Sequence, residues 1–360
     1  MFKLVLGALF SWLFVALPAS AVAAPHAAGI AASPKKYAAK KPRIVLRQRA
    51  TQVATRVAAP EARERMIRRV VLVHGRRKVV YQRVVHVSAP AVPSMGDMAG
   101  LNLTRDPLDL KSSVALVLDQ SNAEVLFEKN ANVALPIASI TKLMTGLLVV
   151  QAHQDMDEIL TVTDADVDRE KFSTSRLKVG SQLTRSNMLH IALMSSENRA
   201  ASALGRNYPG GLPAFVAAMN AKAHELGMAD TRYVDASGLS KLNVASARDL
   251  AKLVMAAHLE PILREYSTDK KYVVDASGRP MQFGNTNRLV TNPGWEIGLQ
   301  KTGFINEAGR CLVMQARIEG RAVIMVFLDS KGKQSRTADA GRMRKWLEAL
   351  KPASVSLPGG

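Results

Sequence analysis

The chain has 360 residues and 48% apolar content, enough for one large domain or two modest ones with a sizeable core. A single cysteine, Cys311, excludes an internal disulfide, and no stretch after the first 23 residues is apolar enough to predict a membrane-spanning helix. The formal charge of +19 is unevenly placed: sixteen Lys or Arg between Lys35 and Arg83 face only Glu61 and Glu64, leaving +5 for residues 101–360.

From the start, Lys3 precedes an apolar stretch from Leu4 to Leu17, then Pro18 and small residues. This three-part form predicts a secretory signal peptide over 1–23, cleaved after Ala23, and hence a soluble periplasmic protein. Residues 24–60 are rich in Ala, Pro, Lys and Arg with few large apolar groups, and are expected to stay disordered. Val-rich runs at 69–73 and 79–87 flank His74-Gly75-Arg76-Arg77 and predict a basic hairpin; Pro90, Pro93, Gly96 and Gly100 mark a linker. Residues 24–100 therefore read as a basic low-complexity segment and linker ahead of a folded domain at 101–350. The polar tail, 351–360, has no amphipathic stripe for a membrane.

Within the domain, runs at 113–118 and 125–128 bracket a turn at 120–122, a predicted hairpin. Pro136 precedes a predicted helix of about fourteen residues from Ser139, with Ile140, Leu143, Met144 and Leu147 as its apolar stripe. Helical patterns follow at 186–206, 212–226 and 246–257. Apolar runs at 311–318 and 322–328 give another hairpin, and a last helix at 338–350 carries Met343, Trp346, Leu347 and Leu350 on one face. Strands at both ends with helices between predict an α/β (α+β) fold, one sheet assembled from distant parts of the chain and covered by helices.

Three short strings carry chemistry. In Ser139-Ile140-Thr141-Lys142, positions i and i+3 share a helix face, so an amine reaches a hydroxyl that would otherwise be only a helix cap. The helix N-terminus aims N–H groups at whatever Ser139 attacks. An ordinary lysine, with a pKa of ~10.4, is a poor base; burial in the apolar stripe and a second cation, Lys301, are expected to lower that of Lys142. In Ser196-Glu197-Asn198, Ser196 is placed to relay a proton and Asn198 to hold a peptide carbonyl and brace Lys142, although Ser195 leaves the register open by one residue. Lys301-Thr302-Gly303 reads as part of an edge strand: the lysine and threonine suit a carboxylate, the glycine lets a substrate backbone lie close, and the N–H of Phe304 is a second oxyanion donor.

The trio resembles the set shared by penicillin-binding proteins and class A β-lactamases. Leu135-Pro136-Ile137-Ala138 before the nucleophile, Tyr208-Pro209-Gly210-Gly211, Asp235-Ala236-Ser237-Gly238-Leu239 and Ser246-Ala247-Arg248-Asp249-Leu250 extend the likeness to the D-alanyl-D-alanine peptidases among the low-molecular-mass penicillin-binding proteins. Over about 105–350 the chain is most similar to their endopeptidase type, which cleaves D-alanyl-diaminopimelate cross-bridges in peptidoglycan. The resemblance implies a β-lactamase/transpeptidase-like fold with an antiparallel sheet flanked by helices, no cofactor, and β-lactam antibiotics as acylating inhibitors. It also implies a carboxylate-binding arginine at Arg336, for which Lys331, Lys333 and Arg342 are alternatives. The second, β-rich domain and C-terminal anchor of carboxypeptidase relatives are not expected here, and the basic N-terminal segment is not recognised from the family pattern.

Other readings compete. A D-alanyl-D-alanine carboxypeptidase shares the same acylation step. A class A β-lactamase needs a Glu-x-x-Leu-Asn string, and Leu239-Ser240-Lys241-Leu242-Asn243 has leucine in the glutamate position. A non-catalytic murein-binding protein would use the basic block at 35–83, which suits anionic murein or a membrane surface and equally a solvated tail; nucleic acid is not expected after secretion. Asp164-Ala165-Asp166-Val167-Asp168 opens like a calcium loop but lacks its glycine and closing glutamate, and reads as a solvated turn. The histidines show no paired ligand spacing, so no metal site is expected. Cys311 reads as a buried small hydrophobe.

Overall fold

The computed structural model describes residues 62–73, 76–87, 92–276 and 278–350. The expected leader at 1–23, the expected disordered stretch at 24–60 and the tail at 351–360 lie outside the described residues. The basic hairpin forms with longer arms than the Val-rich runs suggested: β1 (Ala62–Val73) pairs antiparallel with β2 (Arg76–Val87).

β3 (Ser112–Asp119) and β4 (Val125–Lys129) form the predicted first hairpin of the domain. Helices α1 (Thr141–Gln151), α2 (Arg185–Met194), α3 (Asn198–Arg206), α4 (Gly211–Glu225), α5 (Ala247–Leu259) and α6 (Pro261–Thr268) follow. A small hairpin, β5 (Lys271–Asp275) with β6 (Pro280–Gly284), leads to β7 (Glu296–Ile305), β8 (Gly309–Ile318) and β9 (Arg321–Ser330), and α7 (Ser335–Ala349) closes the domain. The five-stranded sheet runs in the order β7-β8-β9-β3-β4, antiparallel throughout. β3 and β9, which lie 204 to 218 positions apart where they pair (Val323 with Asp119, Ser330 with Ser112), are therefore neighbours, and β7 is an edge strand as predicted.

Both faces of the sheet are covered, which is why β3 reads as an unbroken apolar run and not as an alternation. Val114, Leu116 and Leu118 join the larger core with Leu143 and Leu147 of α1 and Leu250, Leu253 and Val254 of α5. Ala115 and Val117 point the other way, into a second core with Phe327 of β9 and Met343 of α7. The Trp346 and Phe127 rings meet edge-on at 5.9 Å. Asp339 of α7 is buried and accepts from the N–H of Lys111 (3.1 Å), the N–H of Ser112 (2.8 Å) and the Ser112 hydroxyl (2.6 Å), fixing the helix to the start of β3.

The expected linker is docked from Ser94 onward. Ser94 caps a helical turn at Met95–Met98, the N–H of Met95 donates to the Glu307 carbonyl at 2.9 Å, and Lys331 reaches Ser94 Oγ (2.6 Å) and Asp97 Oδ2 (2.7 Å). The calcium-like string is not a solvated turn: Asp166 is buried, accepts from Thr163 and pairs with Arg206 at 2.9 Å. Cys311 is fully buried in β8, as expected.

Candidate active site

Ser139 sits in a tight 3-10 turn, Ala138–Ile140, that opens into α1; the helix proper is shorter than predicted and begins two residues later. Ala138 is held at φ +48°, a left-handed conformation that costs about 1–2 kcal/mol. Its surroundings impose that conformation. The Ala138 carbonyl accepts from Thr141 Oγ1 (2.8 Å), which accepts from Asn243 Nδ2 (3.0 Å). Gly238, at φ +82°, lies so close that a Cβ there would stand 1.9 Å from the Ala138 carbonyl oxygen. On the other side, a Cβ on Gly303 would stand 2.8 Å from the Ile137 carbonyl oxygen and 3.2 Å from the Ser139 nitrogen. The glycine of the third string thus makes room for the nucleophile's own turn.

Lys142, in the first turn of α1, is fully buried. Its Nζ donates to Ser139 Oγ (2.9 Å), Asn198 Oδ1 (2.8 Å) and the Ser237 carbonyl (2.6 Å). Burial pushes this amine down to about 7, against the opposing pull of the Asp235 and Glu197 carboxylates. In the neutral form only two N–H groups remain. With Asn198 and Ser237 holding those two, the lone pair is left for the Ser139 hydroxyl, which then donates to it. That is the arrangement a general base requires.

The predicted helix at 186–206 is broken. α2 ends at Met194, α3 begins at Asn198, and between them Ser196 adopts φ +64°. The break separates the two serines: Ser195 Oγ turns back to the Ile191 carbonyl (2.7 Å), whereas Ser196 Oγ accepts from Lys301 Nζ at 2.9 Å. Glu197 caps α3, accepting from the Arg199 N–H (3.2 Å) and from Ser175 Oγ (2.6 Å). Asn198 Nδ2 in turn donates to Ser173 Oγ at 3.0 Å.

Lys301 is fully buried in β7, and its Nζ also donates to the Thr302 carbonyl at 3.0 Å. Burial, then the neighbouring Lys142 and Arg336 charges, hold its amine well below the ordinary lysine value. The cation effect therefore falls on Lys301, whereas Lys142 is shifted by burial, a correction to the expected direction of help. Thr302 Oγ1 lies 2.7 Å from Thr286 Oγ1, and Phe304 is half exposed beneath the Arg310 guanidinium (4.5 Å to the ring centroid). Arg336 reaches the strand from α7, its Nη1 donating to the carbonyls of Gly303 (2.8 Å) and Cys311 (3.1 Å). Two of its alternatives are engaged elsewhere, Lys331 with Asp97 and Asp329, and Arg342 with Asp339.

The five polar residues singled out in the first two strings and at Lys301 are thus drawn together: one hydrogen-bonded cluster joins Ser139, Lys142 and Asn198, and Ser196, two positions away, takes Lys301. The sequence did not reveal the Ser237 carbonyl, because a backbone acceptor has no letter of its own, nor Thr286, which lies in an unremarkable Asn-Thr-Asn run. Among the described residues, no group of three or more His, Cys, Asp or Glu is placed to hold a metal ion.

A family profile described as D-alanyl-D-alanine carboxypeptidase matches residues 102–332. The chain is 48% identical over 252 residues to a D-alanyl-D-alanine endopeptidase of Pseudomonas aeruginosa, covering 69% of this chain and 80% of that relative. A D-alanyl-D-alanine endopeptidase of Escherichia coli is 39% identical over 281 residues, 78% of this chain and 91% of the relative. Among solved structures, the Streptomyces K15 DD-transpeptidase superposes with a TM-score of 0.64 at 27% identity, covering 69% of this chain and 100% of that one.

Proposed function

The chain belongs to the D-alanyl-D-alanine carboxypeptidase family of serine peptidases, and from that premise we propose that it is an endopeptidase cutting D-alanyl cross-links in peptidoglycan. The observation that carries this reading is a fully buried lysine amine placed 2.9 Å from a serine hydroxyl, in a chain whose relatives are named endopeptidases.

Ser139 Oγ adds to the D-alanine carbonyl carbon while its proton passes to Lys142. The N–H groups of Ser139 and Phe304 hold the oxyanion, a contribution of about 3 kcal/mol for such a donor. The C–N bond breaks as Ser196 hands a proton to the departing amine and is reprotonated from Lys142. Asn198 holds the peptide carbonyl; Lys301 and Thr302 hold the carboxylate of the departing residue, with Arg336 adding charge from behind the strand and Gly303 leaving room. Water then adds to the ester, giving a proton to Lys142, which returns it to Ser139 Oγ as the ester C–O bond breaks and the D-alanine carboxyl group departs. No cofactor enters these steps. A β-lactam amide in place of the peptide also acylates Ser139, giving an ester in which the freed ring nitrogen stays attached to the acyl group.

The reading includes export through the leader at 1–23 and work in the periplasm on peptidoglycan stem peptides and cross-links. Among the described residues, no helix is long and apolar enough to cross a membrane. The basic block at 35–83 holds the enzyme to anionic murein or the membrane surface. Digestion of purified cross-linked muropeptides by wild type and Ser139→Ala, followed by mass analysis, tests the activity. Monomers released by wild type alone are expected; free D-alanine with dimers untouched would make the enzyme a carboxypeptidase.

A further inference from the structure

Beside Ser196 lies a cavity of about 320 Å³ walled by Ser175, Arg176, Ser195, Glu197, Phe283 and Gly284. We propose that it receives the side arm and distal carboxylate of the strand that departs when a cross-link is cut, with Arg176 reading that carboxylate. This rests on the endopeptidase reading above.

Position comes first. Ser195 and Glu197 flank Ser196, the hydroxyl that serves the departing amine. Phe283 and Gly284 lead directly to Thr286, whose N–H donates to the Met194 carbonyl (3.1 Å) and whose hydroxyl touches that of Thr302 (2.7 Å). The cavity therefore borders the half of the site that holds the leaving group, away from the oxyanion donors.

The chemistry of the wall matches what leaves. A carboxypeptidase releases D-alanine, which carries only a methyl group. An endopeptidase releases a diamino acid whose alkyl arm leads on to a second peptide bearing a further carboxylate. Such an arm needs an apolar surface followed by a cation. Phe283 is only 3% exposed and lends the cavity a sliver of apolar surface, while the Arg176 guanidinium, 5.2 Å from its ring centroid, supplies the cation. Arg176 is exposed, is steadied by donation from one Nη to the Gln282 carbonyl, and has no carboxylate partner among the described residues. A guanidinium carries five N–H donors in a fixed fork, so donors remain for a ligand carboxylate. Glu197 does not compete for it, being occupied by Ser175 and the α3 N-terminus.

The test is a cycle of enzyme and substrate changes: dimeric muropeptides with the distal carboxylate of the departing strand either free or amidated, cut by wild type, Arg176→Gln and Arg176→Lys. Cleavage is divided by the rate of labelling with a fluorescent penicillin, which has no departing strand. Amidation should lower the wild-type ratio about tenfold or more, the scale of a hydrogen bond to a charged group. Arg176→Gln should show the same loss on the free-acid dimer and no further loss on the amidated one, and Arg176→Lys should recover part of the activity. Losses that multiply, or a ratio that Arg176→Gln does not move, overturn the proposal while leaving an endopeptidase. A wild type that leaves every dimer intact and frees D-alanine overturns both readings.

Discussion

Lys142 has three acceptors when charged and must release one to work as a base, so its chemistry is set by its own protonation. With the amine at about 7, the neutral form is scarce below that pH and dominant above it. The rate of acylation by a β-lactam should therefore climb as pH rises through about 7 and level off beyond. A stopped-flow series across that range checks it, and a profile falling over the same interval would refute Lys142 as base. Removing the amine, Lys142→Ala, should slow acylation by about 10²–10⁴-fold, the usual worth of a positioned general base. Gly238→Ala should cost about 2–5 kcal/mol of stability, because a Cβ at φ +82° is strained and strikes the Ala138 carbonyl; chemical denaturation measures it. The side chains that cluster around Lys142 and Lys301 were legible in the sequence because each is a polar letter within a short string. What holds them was not: Ala138 at positive φ and the Ser237 carbonyl are conformations and backbone atoms, visible only once distant loops have met.

At the scale of elements, apolar runs long enough to be buried on both faces announced β3, β8 and β9 clearly. The 186–206 segment misled for the opposite reason. Its periodicity is helical throughout and no Gly or Pro marks the interruption, yet Ser196 leaves the helix to meet Lys301. β5 and β6 went unread because their buried side chains are few, Val274 and Phe283 among exposed neighbours. α7 is joined to the sheet by its apolar face and by Asp339, whose carboxylate collects donors from Lys111, Ser112 and Arg342. Asp339→Ala should therefore destabilise the domain by about 3 kcal/mol, the cost of leaving a buried charged network without its centre. It should also disturb Arg336 on the same helix, so penicillin labelling should slow along with a fall in melting temperature. Labelling at the wild-type rate in a destabilised variant would show that α7 does not set the position of β7.

At the scale of the whole molecule, charge and catalysis are segregated along the chain, with most of the positive excess between 35 and 83. Attraction to an anionic polymer decays over a Debye length of about 8–10 Å near physiological salt. Cleavage of intact sacculi should therefore weaken as salt is added, while cleavage of soluble muropeptides should not. Arg76→Gln, Arg77→Gln and Lys78→Gln combined should narrow that difference; equal salt sensitivity in both assays would dissociate the basic block from substrate capture. The central sheet joins the first strands of the domain to the last, and the turn bearing Ser139 is wedged against Gly303 on its edge. A ribosome delivers residue 139 long before residue 303. Until the closing strands arrive, the turn that carries Ser139 lacks the wall that Gly303 supplies, and the growing polypeptide holds no finished pocket.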